Sequence, residues 1–257
     1  MMSNSAKGFV WYELMTTDIE AAEAFYSAVV GWSGKDFGQS GIRYTVMNAG
    51  EKGVAGLMTL PAEVCEAGGR PGWVGYIGVD DVDAATKRVK QAGGTVHRAP
   101  ADIPNVGRFS VVADPQGAVF MLIKPMGADN SPVPGGTLGH VGWRELYASD
   151  WAKAFDFYAG QFGWTKAEAI ELGPMGTYQL FAAGGEPIGG MMNKPAQIPA
   201  PVWMFYFNVA AADAAAALVT QHGGQVLMGP HQVPGGSWIL QCIDPQGAMF
   251  ALVAASR

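Results

Sequence analysis

Charge is scarce in this chain. Only 15% of its 257 residues are Asp, Glu, Lys or Arg, and the balance is acidic, at −6 near neutral pH. No cluster of Lys and Arg could neutralise a run of phosphates, which excludes nucleic acid as a partner. Cysteine is scarcer still. Cys65 and Cys242 are the whole supply; they occupy non-equivalent places and form no C-x-x-C pair, so neither a disulfide nor a thiolate metal knuckle is expected. No apolar run approaches the roughly 18 residues that cross a membrane. The opening MMSNSAKGFV has no apolar signal core, and the expected location is the cytoplasm.

Apolar residues, by contrast, are plentiful. They make up 49% of the chain, enough for a large core and for an apolar surface patch or pocket. The most informative feature is a repeat. WYELMTTDIEAAEAFYSAVVGW, from Trp11, returns as WRELYASDWAKAFDFYAGQFGW, from Trp143. ADPQGAVFML, ending at Leu122, returns at nearly the same offset as IDPQGAMFAL, ending at Leu252. Two copies of about 120 residues are too long for a solenoid unit and imply two similar modules. The expected division is residues 1–125, a Pro/Gly/Asn-rich linker at 126–137, and residues 138–257.

In the first module residues 8–15 read as a strand. Asp18 then caps a helix whose apolar positions Ile19, Ala22, Phe25, Tyr26 and Val29 recur at helical spacing, and Gly31 stops it. Short strands are expected at 42–48, 53–59 and 73–79. Asp80 or Asp81 caps a second helix that ends at Gly93-Gly94. Strands at 108–113 and 118–123 flank the turn Asp114-Pro115-Gln116-Gly117. The second module repeats the order: a helix from Asp150 to Gly163, strands at 177–182, 187–192 and 202–209, a helix ending at Gly223-Gly224, and two strands about the turn at 244–247. Helices alternating with hairpin strands make an α+β chain.

A strand, an Asp-capped helix ending in Phe-Tyr and then Gly-Trp, and later Asp-Pro-Gln-Gly, all present twice, resemble the vicinal oxygen chelate superfamily, the glyoxalase/bleomycin-resistance/extradiol-dioxygenase fold. The resemblance covers essentially the whole chain, and within the superfamily it is similar to two-module hydroxylase-like, or mycobacterial 27-kDa-antigen-like, proteins. It implies tandem βαβββ modules whose curved mixed sheets pair around a cleft. It also implies where a metal would be bound in metal-dependent relatives. Those positions here hold Trp11, Val74 and Met121 in one copy and Trp143, Met204 and Ala251 in the other. None is a good ligand for a divalent transition metal, which takes imidazole, carboxylate or thiolate. The histidines His97, His140, His222 and His231 are not matched between the copies. No metal and no cofactor are expected.

Residues two apart on a strand share a face, so a cleft that takes Trp11 and Trp143 also takes Glu13 and Glu145. On the same count it takes Val74 with Tyr76 and Met204 with Tyr206. Tyr44 and Tyr178 occupy matching places on the following strands. The two glutamates admit three readings: structural acceptors near the sheet centre, a general base or acid tuned by desolvation, or anchors for a ligand hydroxyl or amine. The tryptophans are core filler or flat walls of a ligand site. Met121 and Met204 suit an adaptable apolar wall. Two functions remain open. One is metal-free binding of a small apolar or aromatic molecule. The other is hydroxylase-, isomerase- or lyase-like catalysis with Glu13 or Glu145 as base; metal-dependent glyoxalase or dioxygenase chemistry comes third. With both modules in one chain a monomer suffices, and a homodimer is also open.

Overall fold

The structure, a computed structural model, describes residues 7–38, 43–127 and 133–257. Residues 128–132 of the expected linker and position 42 of an expected strand therefore lie outside the described residues. The first repeat runs β1 (Phe9–Thr16), α1 (Ile19–Val30), β2 (Ser33–Asp36), β3 (Tyr44–Ala49), β4 (Lys52–Thr59), α2 (Ala62–Glu66), β5 (Gly72–Gly78), α3 (Val82–Gln91), β6 (Thr95–Ile103), β7 (Gly107–Ala113) and β8 (Val119–Pro125). The second runs β9 (Val141–Ala148), α4 (Trp151–Phe162), β10 (Thr165–Glu171), β11 (Thr177–Ala182), β12 (Pro187–Asn193), β13 (Val202–Asn208), α5 (Ala212–Gln221), β14 (Gln225–Gln232), β15 (Trp238–Ile243) and β16 (Met249–Ala254).

Each repeat forms one eight-stranded mixed sheet. The orders are β2-β3-β4-β1-β5-β8-β7-β6 and β10-β11-β12-β9-β13-β16-β15-β14. Two βαβββ motifs thus make each sheet, as the resemblance implies. Within each motif the first strand pairs in parallel with the last, β1 with β4 and β5 with β8, while the hairpins are antiparallel.

The helix ends follow from the residues read in the sequence. Asp18, Asp81 and Asp150 each accept a backbone N–H three residues on, from Ala21, Ala84 and Lys153. An Asp at this place satisfies an otherwise orphaned donor of the first turn. Gly31 and Gly163 close α1 and α4 at φ 82° and 73°, a left-handed conformation that costs glycine nothing.

Four strands have no counterpart in the sequence reading: β2, β6, β10 and β14. They are the edge strands, and most of their residues are exposed or half-exposed. Without a buried face they carry no apolar alternation to read. The short α2, which has no side-chain cap and no buried residue, leaves no signal either.

By contacts the chain divides into two compact units, and neither coincides with a repeat. One takes the described residues of 1–11, 75–131 and 144–203, the other those of 12–74, 132–143 and 204–257. Each therefore joins one βαβββ motif from each repeat. In the second, Tyr26 of α1 is fully buried and donates its hydroxyl proton to Asp244 at 3.1 Å, while Trp73 donates to Tyr26 at 2.8 Å. Phe25, Trp32, Phe207 and Phe250 pack around this centre. In the first, Tyr158 of α4 donates to Asp114 at 3.3 Å and receives Trp203 at 2.9 Å. Trp164 stacks on Tyr158 and on Phe181.

The carboxylates are fixed from their own turns. Asp114 accepts the N–H groups of Gln116 and Ala118, and Asp244 those of Gln246 and Ala248. The Gln116 amide also brackets Asp150, donating to its carbonyl and accepting its N–H. The matching Gln246 Oε1 is buried without a partner, because the Asp18 N–H turns to the Thr16 hydroxyl instead. The Phe-Tyr and Asp-Pro-Gln-Gly signatures thus meet one another in the core.

Candidate functional site

Two matched constellations stand apart from that aromatic core. On β1, Glu13 lies in register with Gly56 of β4. Tyr44, the first residue of β3, donates its hydroxyl proton to Glu13 Oε2 at 3.1 Å. A Cβ at Gly56 would run into the Tyr44 hydroxyl and ring. Glycine is therefore what lets the phenol lie across β4 and reach the carboxylate. In the other unit Glu145 of β9 lies in register with Gly190 of β12, and Tyr178 donates to Glu145 Oε2 at 2.9 Å. A Cβ at Gly190 would meet the Tyr178 ring in the same way. Both carboxylates are well covered, at 4% and 6% exposure.

The four candidates Glu13, Tyr44, Glu145 and Tyr178 are thus brought together in pairs. Gly56 and Gly190 were not singled out in the sequence, although the signal was available. Tyr44 and Tyr178 are separated by the same interval as Gly56 and Gly190, so the pair and its platform repeat as a set.

Face assignments on the later strands follow from the core. Trp203 and Phe207 of β13 meet Tyr158 and Tyr26, so those odd positions face the helices. Tyr12 packs edge-on to Phe205 at 4.9 Å and belongs with them. Met204 and Tyr206 then point the other way, and Trp73 against Tyr26 places Val74 and Tyr76 likewise.

The row opposite the helices is Tyr206 (β13), Ala251 (β16) and Gln241 (β15) in one copy. In the other it is Tyr76 (β5), Met121 (β8) and Val111 (β7). Gln241 Nε2 donates to the Tyr206 hydroxyl at 2.9 Å. Tyr76, Met121, Met204 and Tyr206 are all buried. Trp11 and Trp143 are half-buried, two residues ahead of the glutamates on β1 and β9.

The positions at which the resemblance would place a metal carry indole, hydrocarbon and thioether groups, a donor set that does not fit a divalent transition metal. Among the described residues no group of three or more His, Cys, Asp and Glu could hold one. His97, His222 and His231 are exposed. His140 is half-buried, and partial burial together with the Lys52 charge holds its pKa below the usual imidazole range. Cys242 is buried, and burial pushes its thiol up to about 12. Among the described residues no helix is long and apolar enough to cross a membrane.

Comparison with known proteins agrees with this architecture. The profile of the family described as Glyoxalase/Bleomycin resistance protein/Dioxygenase superfamily matches residues 8–122 and again 137–252. A protein of Mycobacterium bovis named "Putative glyoxylase CFP32" is 34% identical over 246 residues, covering 95% of this chain and 93% of that one. The anthracycline biosynthesis protein DnrV of Streptomyces peucetius is 32% identical over 260 residues, covering 95% and 91%. Among solved structures, the Mn(II)-bound glyoxalase of Novosphingobium aromaticivorans superposes with a TM-score of 0.65 at 18% identity, over 98% of this chain and 82% of that one. The 2,3-dioxygenase LapB of Pseudomonas sp. KL28 does so at 0.67 and 13% identity, over 98% and 93%. With the repeated motifs, the paired βαβββ sheets and two matches that together span nearly the whole chain, this protein belongs to the glyoxalase/bleomycin resistance protein/dioxygenase superfamily.

Proposed function

We propose that the protein binds a small, flat, apolar or aromatic molecule that carries hydroxyl or amine groups, and does so without a metal. The observation that carries this reading is the twofold Glu–Tyr pair laid over a glycine, Glu13–Tyr44 on Gly56 and Glu145–Tyr178 on Gly190. A covered carboxylate oriented by a phenol is a directional acceptor, and one such group among apolar walls fixes the orientation of a ligand. Trp11, Trp143, Tyr76, Tyr206, Met121 and Met204 supply the apolar and aromatic area. The name of the Streptomyces relative supports the aromatic class, since anthracyclines are hydroxylated fused-ring quinones. The binding function belongs to the duplicated pair of modules, 1–125 and 138–257, joined through 126–137.

Quinizarin, a dihydroxyanthraquinone, is a suitable probe because it quenches tryptophan emission and the chain has eight tryptophans. Saturable quenching by quinizarin is expected, and Glu13→Gln with Glu145→Gln should raise the Kd by at least about tenfold while the fold survives. Unchanged affinity in that double variant would remove the glutamates from the site.

A second reading rests on the same pair. A carboxylate held against a phenol is also a general-base arrangement, and Glu13 or Glu145 would then abstract a proton from a bound substrate. The single Glu→Gln variants separate the two readings. Loss of turnover with unchanged ligand affinity marks a base, whereas loss of affinity marks an anchor.

A further inference from the structure

The junction between a helix start and an Asp-Pro-Gln-Gly turn occurs in both compact units, and it is bonded differently in each. In one unit Gln116 brackets Asp150 at the start of α4. Its amide donates to the Asp150 carbonyl at 2.8 Å and accepts the Asp150 N–H at 2.7 Å. Asn193 of β12 accepts the next N–H, that of Trp151, at 2.9 Å. In the other unit Gln246 holds the place of Gln116, and Asp18 that of Asp150. There the Asp18 N–H goes to the Thr16 hydroxyl at 3.4 Å, and Gln246 Oε1 is buried with no partner among the described residues.

A single residue separates the two cases. Thr16 ends β1 in register with Thr59 of β4, and Ala148 ends β9 in register with Asn193 of β12. Ala148 therefore stands where Thr16 stands, and it has no hydroxyl to offer. With alanine there, the N–H at the helix start turns to the glutamine. With threonine, a hydroxyl two residues away takes it first.

We infer that the start of α1 is a two-state latch, in which the Thr16 hydroxyl competes with the Gln246 amide for the Asp18 N–H. The first repeat is held in the released arrangement, and the second displays the locked one.

Neither arrangement of the first repeat is fully satisfied. At 3.4 Å the Thr16 bond lies beyond the ordinary range of about 2.7–3.2 Å. It also leaves a covered amide oxygen unmet, which costs more than an average hydrogen bond returns. Locking would satisfy Gln246 but strand the hydroxyl of Thr16, which is fully buried. Each arrangement leaves one covered polar group short, so the two lie close in free energy, which is the condition for a two-state element. Ala148, equally buried, brings no polar atom and sets up no such conflict. A junction balanced in this way opens locally ahead of its surroundings, and α1 should release its first turn before α4 does. The latch ends the two strands that carry Glu13 and Gly56, so it serves one Glu–Tyr pair and not the other.

The test is amide hydrogen exchange on the full chain, read by NMR as protection factors at Asp18 and Asp150. Asp18 should be less protected than Asp150 by about tenfold or more. Thr16→Ala, which copies Ala148, should raise protection at Asp18 by a similar factor, and Thr16→Ser, which keeps the hydroxyl, should not. Gln246→Ala should leave Asp18 unchanged in the parent protein and abolish the gain in the Thr16→Ala background. Gln116→Ala should lower protection at Asp150. Thermal unfolding checks that each variant is folded. Should Thr16→Ala not fold, Ala148→Thr decides. It should lower protection at Asp150 toward that of Asp18, and unchanged protection overturns the inference. Equal protection of Asp18 and Asp150 in the parent also overturns it. So does a gain in Thr16→Ala that survives Gln246→Ala, which would make Thr16 a packing residue only.

Discussion

Glu13 and Glu145 are ordinary carboxylates placed where an ordinary carboxylate would be costly. Each is covered, and each takes a tyrosine hydroxyl that can lie flat only because the residue beneath it has no side chain. The glycine acts through the tyrosine, so its substitution should look different from a core defect. Gly56→Ala and Gly190→Ala are expected to push the phenol off the carboxylate, weakening quinizarin by about tenfold or more, with only a modest fall in Tm. The tyrosine absorption band gives an independent readout of the broken bond. A variant that unfolds without a prior change in affinity would make the glycine a packing residue only. At this scale the sequence was legible for the residue types and silent on their pairing. Alternation along a strand places Glu13, but no local rule tells that Tyr44, on another strand, reaches it.

At the scale of the element, helices were far more legible than strands. Asp18, Asp81 and Asp150 mark helix starts, and Gly31 and Gly163 mark ends, because capping is a local matter of one donor or one dihedral. Edge strands β2, β6, β10 and β14 left no trace, because an edge need not alternate. The Asp-Pro-Gln-Gly turn was read as turn chemistry, and it is that. Its aspartate has a second task, receiving a buried tyrosine from the other repeat's first helix. Burial holds the carboxyls of Asp114 and Asp244 above the usual carboxylate range, against the lowering effect of their backbone N–H bonds.

This raised pKa gives a signed prediction. Between the unfolded value, about 3.9, and the raised folded value, the native state binds more protons than the unfolded chain. These two groups therefore add stability as pH falls through that window and remove it as pH rises. The exposed Asp80 and Asp83 and the half-buried Asp150, held low mainly by their hydrogen bonds to Lys7, Arg108 and Lys153, act oppositely and only at lower pH. Asp114 and Asp244 should therefore push Tm upward as pH falls through that window, against His140, whose lowered pKa removes stability as pH drops through the imidazole range. Asp114→Asn with Asp244→Asn should take away the upward contribution. A pH dependence of Tm left unchanged in that double variant would contradict the assignment.

For the whole molecule the repeat is the main fact, and it was fully legible. Less legible was how the repeats share their cores. Each compact unit draws one motif from each repeat, with Tyr26 held by Asp244 and Tyr158 by Asp114. The reciprocity extends to the Gly-Trp signature. Trp32 donates to the Gly139 carbonyl at 2.7 Å, just before the second repeat's first strand, and Trp164 donates to that of Lys7, just before the first repeat's. Most of what identifies the family in the sequence is therefore fold chemistry, which is why recognising the family says so little about the ligand. Expressed alone, residues 1–127 or 133–257 should give no cooperatively folding monomer, because each half exposes the aromatic face that the other covers. Mixing the halves should restore one cooperative transition. A stable monomer from either half, seen by sedimentation and calorimetry, would refute the shared-core account.

On the proposed reading this chain holds an aromatic ligand through its own carboxylate and phenol groups and not through a metal. The most direct measurement is the quinizarin affinity of the protein before and after exhaustive chelation, with metal content determined on the same samples. Equal affinity with substoichiometric metal is the expected result. Binding that disappears on chelation and returns with one equivalent of Mn²⁺, Fe²⁺, Ni²⁺ or Zn²⁺ would contradict it.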